Sequence, residues 1–122
     1  MSQISLPVEV SPVEVMRERG LGDAILLCIK AAGLEPKQVQ AELRLDKAQW
    51  SRWVSGQEGV KWERLRALQD LCGNDAPTLW MLHDRGYDLS TVRRVESTVE
   101  RENRMLREEN AALRRVLTGA DR

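Results

Sequence analysis

Residues Pro36 to Gly56 read PKQVQAELRLDKAQWSRWVSG, and this stretch decides the fold. Pro36 suits a first helical turn, where its missing N–H costs no hydrogen bond. Val39 and Leu43 are four apart and share one helical face. Asp46 then caps a new helix, with Gln49 completing the capping pair, and Trp50 and Trp53 recur at helical spacing until Ser55-Gly56 stops it. Two short helices therefore meet at a tight corner. Val39 and Leu43 lock the first to a core, Leu45 fills the corner, and the tryptophans seat the second. That spacing makes Trp50 and Trp53 core residues rather than stacking platforms. It leaves Lys47, Gln49, Ser51 and Arg52 on the faces the tryptophans do not occupy.

On either side of this corner the chain reads as helices with short links. Residues 1–11 predict an extended arm. Ser11 as cap, Pro12 in the first turn and Glu14 three residues after the cap predict a short helix that ends at Gly20. A second helix is predicted over 23–32, with Ala24, Leu27, Cys28 and Ala31 on one side and Gly33 closing it. Beyond the corner, Trp62, Leu65, Leu68, Leu71 and Cys72 give an amphipathic helix stopped by Gly73-Asn74. Asp75 caps another helix, through Leu79, Trp80 and Leu82 to Asp84. The expectation is an all-α chain: a compact five- or six-helix domain over 12–86, followed by a long C-terminal coiled-coil helix.

That last helix is read from a change of period. From Leu89 to Leu117 there is no Gly or Pro, and apolar residues recur every seven positions. With Leu89 as a, the a series is Leu89, Glu96, Asn103, Asn110, Leu117, and the d series Val92, Val99, Leu106, Leu113. The reading is a parallel coiled coil over 87–118, four heptads and about 43 Å long, with 119–122 a disordered tail. Asn at two central a positions favours a parallel, in-register pair. Glu102 and Glu109 at g face Arg107 and Arg114 at e across a parallel homodimer, whereas an antiparallel pair would oppose like charges. Ala111, Ala112 and Val116 add apolar surface outside the seam and leave a tetramer open. The rival reading is one long helix packed on its own domain, which gives no reason for Asn at two seam positions.

Charge is neutral overall and uneven in detail. Of 122 residues, 19 are Lys or Arg and 19 Asp or Glu. Residues 36–66 hold seven basic side chains (Lys37, Arg44, Lys47, Arg52, Lys61, Arg64, Arg66) against four acidic ones, while 1–35 and 67–87 are each net negative by two. A locally basic face on a neutral chain suits DNA with a modest non-specific term. The sequence holds no apolar run of membrane-spanning length and no signal-like start, so the expected location is cytoplasmic. Cys28 and Cys72 are expected as buried free thiols.

The capped corner followed by Asp46-Lys47-Ala48-Gln49-Trp50-Ser51-Arg52-Trp53 resembles the helix-turn-helix of the lambda-repressor/Cro-like superfamily, small regulators of bacteria and temperate phages. The resemblance covers 21–71. It implies that helix 47–54 enters the major groove, with base contacts from Lys47, Ala48, Gln49, Ser51 and Arg52. Gln49 can pair bidentately with adenine, Arg52 can reach guanine or a phosphate, and the Ala48 methyl can touch a thymine methyl. Lys37 and Gln38 resemble residues that hold a phosphate at a helix N-terminus, and Gln57 and Lys61 are further phosphate candidates. Two positions depart from the pattern: Gln40 stands where a small residue usually faces the second helix, with Ala41 beside it, and Arg44 stands where the corner usually has Gly. The implied function is a sequence-specific regulator of phage or prophage type, which binds double-stranded DNA as a homodimer on an inverted repeat. If it activates, RNA polymerase is a further partner. The alternative is a phage packaging subunit or an antitoxin-like partner-binding protein. No cofactor is implied. His83, the single histidine, has no second ligand to complete a metal set, no glycine loop cradles a phosphate, and the expectation is no enzyme activity.

Overall fold

The computed structural model describes residues 8–118, with Thr98 described by its backbone alone. The expected tail 119–122 and residues 1–7 of the expected arm lie outside it. The described residues are all-helical: α1 (Pro12–Met16), α2 (Leu21–Ala31), α3 (Pro36–Leu43), α4 (Lys47–Ser55), α5 (Trp62–Cys72), α6 (Ala76–Asp84) and α7 (Thr98–Thr118). They form two compact units that divide between Val92 and Arg93. No helix among them is long and apolar enough to cross a membrane.

In the first unit α2 is the axis of the core. Its Ala24, Ile25, Cys28 and Ile29 are buried, and α6, α4, α5 and α3 all pack against it. Leu27 and Ala31, expected inward, are only half buried, because neighbours on several sides turn the interior face toward Ile25 and Ile29. Val39, Leu43, Leu45, Trp50, Trp53, Leu65, Leu68 and Cys72 complete the cluster. Trp62, expected on the inner face of α5, is 53 % exposed at its first turn.

Three helices in this unit end in the same way. After α2, the Gly33 N–H donates to the Lys30 carbonyl and the Leu34 N–H to that of Ile29. After α6, Gly86 and Tyr87 donate to His83 and Leu82. After α3, Arg44 and Leu45 donate to Ala41 and Gln40. This is the paired-bond stop whose pivot residue adopts a left-handed conformation, normally glycine. Gly33 and Gly86 have φ of 72° and 93°, and Arg44 has φ 54°. A left-handed conformation costs an L-residue roughly 1 kcal/mol. Arg44→Gly should therefore raise stability by about 0.5–1 kcal/mol, read as a higher denaturant midpoint with an unchanged slope. An equal or lower midpoint would mean that the Arg44 side chain makes up for its backbone.

Polar groups inside the unit are matched. Among the described residues no buried side-chain nitrogen or oxygen lacks a partner. The start of α6 is held by Asn74 Oδ1, which accepts from Ala76 N–H at 3.2 Å, and by Gln69 Oε1, which accepts from Thr78 N–H and Oγ1–H at 3.0 and 2.8 Å. Asn74 Nδ2 also donates to the Cys28 carbonyl at 3.0 Å. These bonds replace the cap expected from Asp75, which sits at the cap position without a side-chain cap bond. Ser11 likewise caps α1 by position and not by a side-chain bond. Cys28 and Cys72 are free and buried. Hydrogen bonding to Cys72, then burial, pushes the Cys28 thiol well above the ordinary range and denies it thiolate character.

The segment 87–97 corrects the expected coiled coil. Asp88 Oδ1 accepts from the Ser90 N–H and hydroxyl at 2.9 and 2.7 Å, and its carbonyl accepts from the Thr91 hydroxyl at 2.9 Å. These bonds, the first of which also hold the Asp88 carboxyl below its usual range, fold 88–91 into a turn. Leu89, expected at the first a position, is thereby turned into the globular core and is 6 % exposed. Val92 lies outside any helix and ends the first compact unit. Ser97 Oγ accepts the Glu100 N–H at 3.1 Å and starts α7 there.

The second unit carries α7, 21 residues or about 31 Å long. Glu96, expected at an a position, precedes the helix and is bound by Arg104, which reaches it through Nε (3.2 Å) and Nη2 (2.9 Å) and Glu108 through Nη1 (3.1 Å). Val99, Leu106, Leu113 and Leu117 are exposed along α7.

Candidate nucleic-acid interface

Helix α4 is fixed from beneath and at both ends. Asp46 Oδ1 accepts from the Gln49 N–H at 2.7 Å and caps the start of α4. Gly56, with φ 83°, ends it. Trp50 and Trp53 are buried, with ring centroids 6.4 Å apart and planes tilted by 48°. Both face the core, as their spacing predicts. Below α4 the backbone of α2 comes very close: a Cβ on Gly22 would stand 2.0 Å from the Val54 carbonyl oxygen. The close approach that seats α4 thus lies at Gly22 of α2. Ala41, expected to compensate for Gln40, is exposed, and Gln40 is half buried.

At about 100° per residue, Lys47, Ser51, Ser55, Ala48 and Arg52 span about 140° of α4, and all five are exposed. The opposite arc holds Trp50 and Trp53, and Val54, half buried, lies at the margin beside Lys47. Gln49 sits at the other margin and is half buried. Lys47, Ala48, Ser51 and Arg52 are therefore brought together on one open face, joined by Ser55, while Gln49 stands at its edge. Ser55 was legible from the same periodicity.

Of the phosphate candidates, Lys37 and Gln38 are exposed in the first turn of α3. Gln38 Oε1 accepts from the Glu35 N–H at 2.7 Å, which employs the acceptor end of the amide and leaves its two donor hydrogens, the half a phosphate needs. Gln57 is exposed in the loop after α4, and Lys61 is exposed at the cap of α5. Arg64 serves the scaffold: its Nη1 donates to the Leu43 carbonyl at 2.8 Å and pins the corner to α5. Arg52 Nε donates to Glu58 Oε2 at 2.8 Å, and Glu58 raises the Arg52 pKa further. Arg64 and Glu58 had no signal in the sequence, because each acts across a loop or between helices.

This geometry has a counterpart in known sequence families. A family model described as a helix-turn-helix domain matches residues 16–79, more than half of the chain. The chain belongs to the helix-turn-helix domain family. As a helix-turn-helix protein it carries a DNA-binding domain, and the match takes in all of α2, α3, α4 and α5. The matched region ends within α6 and does not include α7. No curated protein and no solved structure matches the chain.

Proposed function

We propose that this helix-turn-helix protein is a transcriptional regulator that reads a specific double-stranded site as a homodimer. The observation that carries the reading is the face of α4. Five exposed side chains, two of them cationic and the others small, stand opposite an anchored tryptophan face. A major groove admits one helix, and small residues between the long ones let its backbone approach the base edges. Lys47, Ala48, Ser51 and Arg52 take the bases, with Gln49 reaching from the margin. Lys37, Gln38, Gln57 and Lys61 take phosphates on either side.

One such module reads few base pairs, and α7 answers that limit. Val99, Leu106, Leu113 and Leu117 lie exposed at heptad spacing with Asn103 and Asn110 between them. In a parallel pair Glu102 meets the partner's Arg107, and Glu109 meets the partner's Arg114. These exposed pairs set orientation at a few tenths of a kcal/mol each, while the apolar seam holds the pair together. Two-fold symmetry then predicts an inverted-repeat operator. The likeness of Asp46–Trp53 to phage and prophage regulators supports that setting, in the cytoplasm and without catalytic activity.

Selection of bound sequences from random duplex DNA tests the reading and should return an inverted repeat. On that site Arg52→Ala and Lys47→Ala should each cost about 1–3 kcal/mol if they hold bases, with relaxed preference at one position per half-site. A loss of equal size on every sequence would reassign them to phosphate. Unchanged affinity and preference in both would sink the proposed docking of α4.

A further inference from the structure

Arg52 is tied to the loop that follows its own helix. After Gly56 turns the chain, the Glu58 N–H donates to the Arg52 carbonyl at 3.2 Å, and the Glu58 carboxylate accepts from Arg52 Nε at 2.8 Å. Backbone and side chain of one residue thus hold backbone and side chain of the other. The pair stands in solvent, with side chains 47 % and 40 % exposed. The bond takes Nε alone and leaves the two terminal nitrogens of the guanidinium, Nη1 and Nη2, as a planar pair of donors.

We infer that Glu58 is a positioning residue that aims Arg52 at a guanine edge and turns it away from the phosphate backbone. This rests on the proposed reading of α4. Two physical effects act in the same direction. A long side chain loses rotamer freedom when it binds, and a guanidinium already held in one plane loses less of it. An acidic group beside the guanidinium also cancels most of its attraction for a polyanion. Its hydrogen-bond donors remain intact for an uncharged base edge, where O6 and N7 of guanine accept in one plane. An unpaired arginine at this position would bind any phosphate within reach. A paired one discriminates.

Two substitutions separate these effects. Glu58→Ala removes both the bond and the charge. Glu58→Gln keeps an oxygen that can accept from Nε and removes only the charge. In sequence selection the native protein should show one guanine preference per half-site that Arg52→Ala abolishes. Glu58→Ala should weaken that preference about tenfold and strengthen binding to unrelated duplex, with a salt dependence steeper by up to about one phosphate contact per chain. Glu58→Gln should keep most of the guanine preference and share the stronger non-specific binding. The inference is overturned if Glu58→Ala leaves the guanine preference intact. It is also overturned if binding falls equally on all sequences in step with a lowered melting temperature, which is what a purely structural staple would give. If the native protein selects no sequence at all, the failure lies with the proposed reading of α4 and not with Glu58.

Discussion

Gly22→Ala should destabilise the helical domain by roughly 3 kcal/mol and lower its melting temperature by more than about 10 °C. Helix propensity alone gives the opposite sign, since Ala is better than Gly inside a helix by about 1 kcal/mol. Sterics decide. The new Cβ would lie 2.0 Å from the Val54 oxygen, 2.7 Å from its carbonyl carbon and 2.9 Å from its Cα. All three are backbone atoms of α4, so no side chain can swing aside and the helices must part by more than an ångström. Trp50, Trp53 and Ile25 share the core there, and separation would open voids among them. Because α4 is the element that moves, DNA affinity should fall even at temperatures where the variant stays folded. Gly59 is the control. A Cβ there meets nothing within 4 Å, and Gly59→Ala should be near neutral. A Gly22→Ala protein as stable as the native one would refute the close approach of α2 and α4.

The second large effect lies in α7. Leu106→Asp combined with Leu113→Asp places charge at two seam positions that are 56 % and 58 % exposed in the single chain. Their exposure means that the substitutions cost the isolated chain little. In a paired seam they bury carboxylates without partners, and the pair should dissociate. Sedimentation at micromolar concentration should then report two chains for the native protein and one for the variant. The helical domain should melt at its native temperature, since α7 belongs to the other unit. Affinity for a two-half-site duplex should drop by about 100-fold or more, because the second half-site contact ceases to be intramolecular. Native affinity in a monomeric variant would show that the protein binds its site without dimerising.

The helical class, the corner and the face of α4 were legible because their signals are local. Asp46 caps a helix whose tryptophans recur at helical spacing, and Gly33, Gly56 and Gly73 end helices where a left-handed residue is required. The heptad segment misled for a physical reason. A leucine at the right spacing reads the same whether it enters a seam or a core, and Leu89, in register with the heptads, lies in the core while α7 begins past Ser97. Two local signals mark the break. Asp88 with Ser90 forms a turn through its carboxylate, and Ser97 with Glu100 forms a new helix start. Gly22 was invisible in another sense. The sequence starts this helix at residue 23 and leaves Gly22 in the link before it, and nothing in its neighbourhood announces that Val54 will pass against it. The Arg52–Glu58 pair and the Arg64–Leu43 bond belong with Gly22: they depend on how the chain returns on itself. The exposure of Trp62 shows the limit of periodicity at a helix end, where the first turn stands clear of the core.

On the proposed function, two copies of the α4 face read one duplex. The most direct test is the mass of the native protein in complex with the duplex that it selects, together with the symmetry of that sequence. Two chains on an inverted repeat is the predicted result. A single chain on an asymmetric site, or saturation of any duplex without preference, would contradict it.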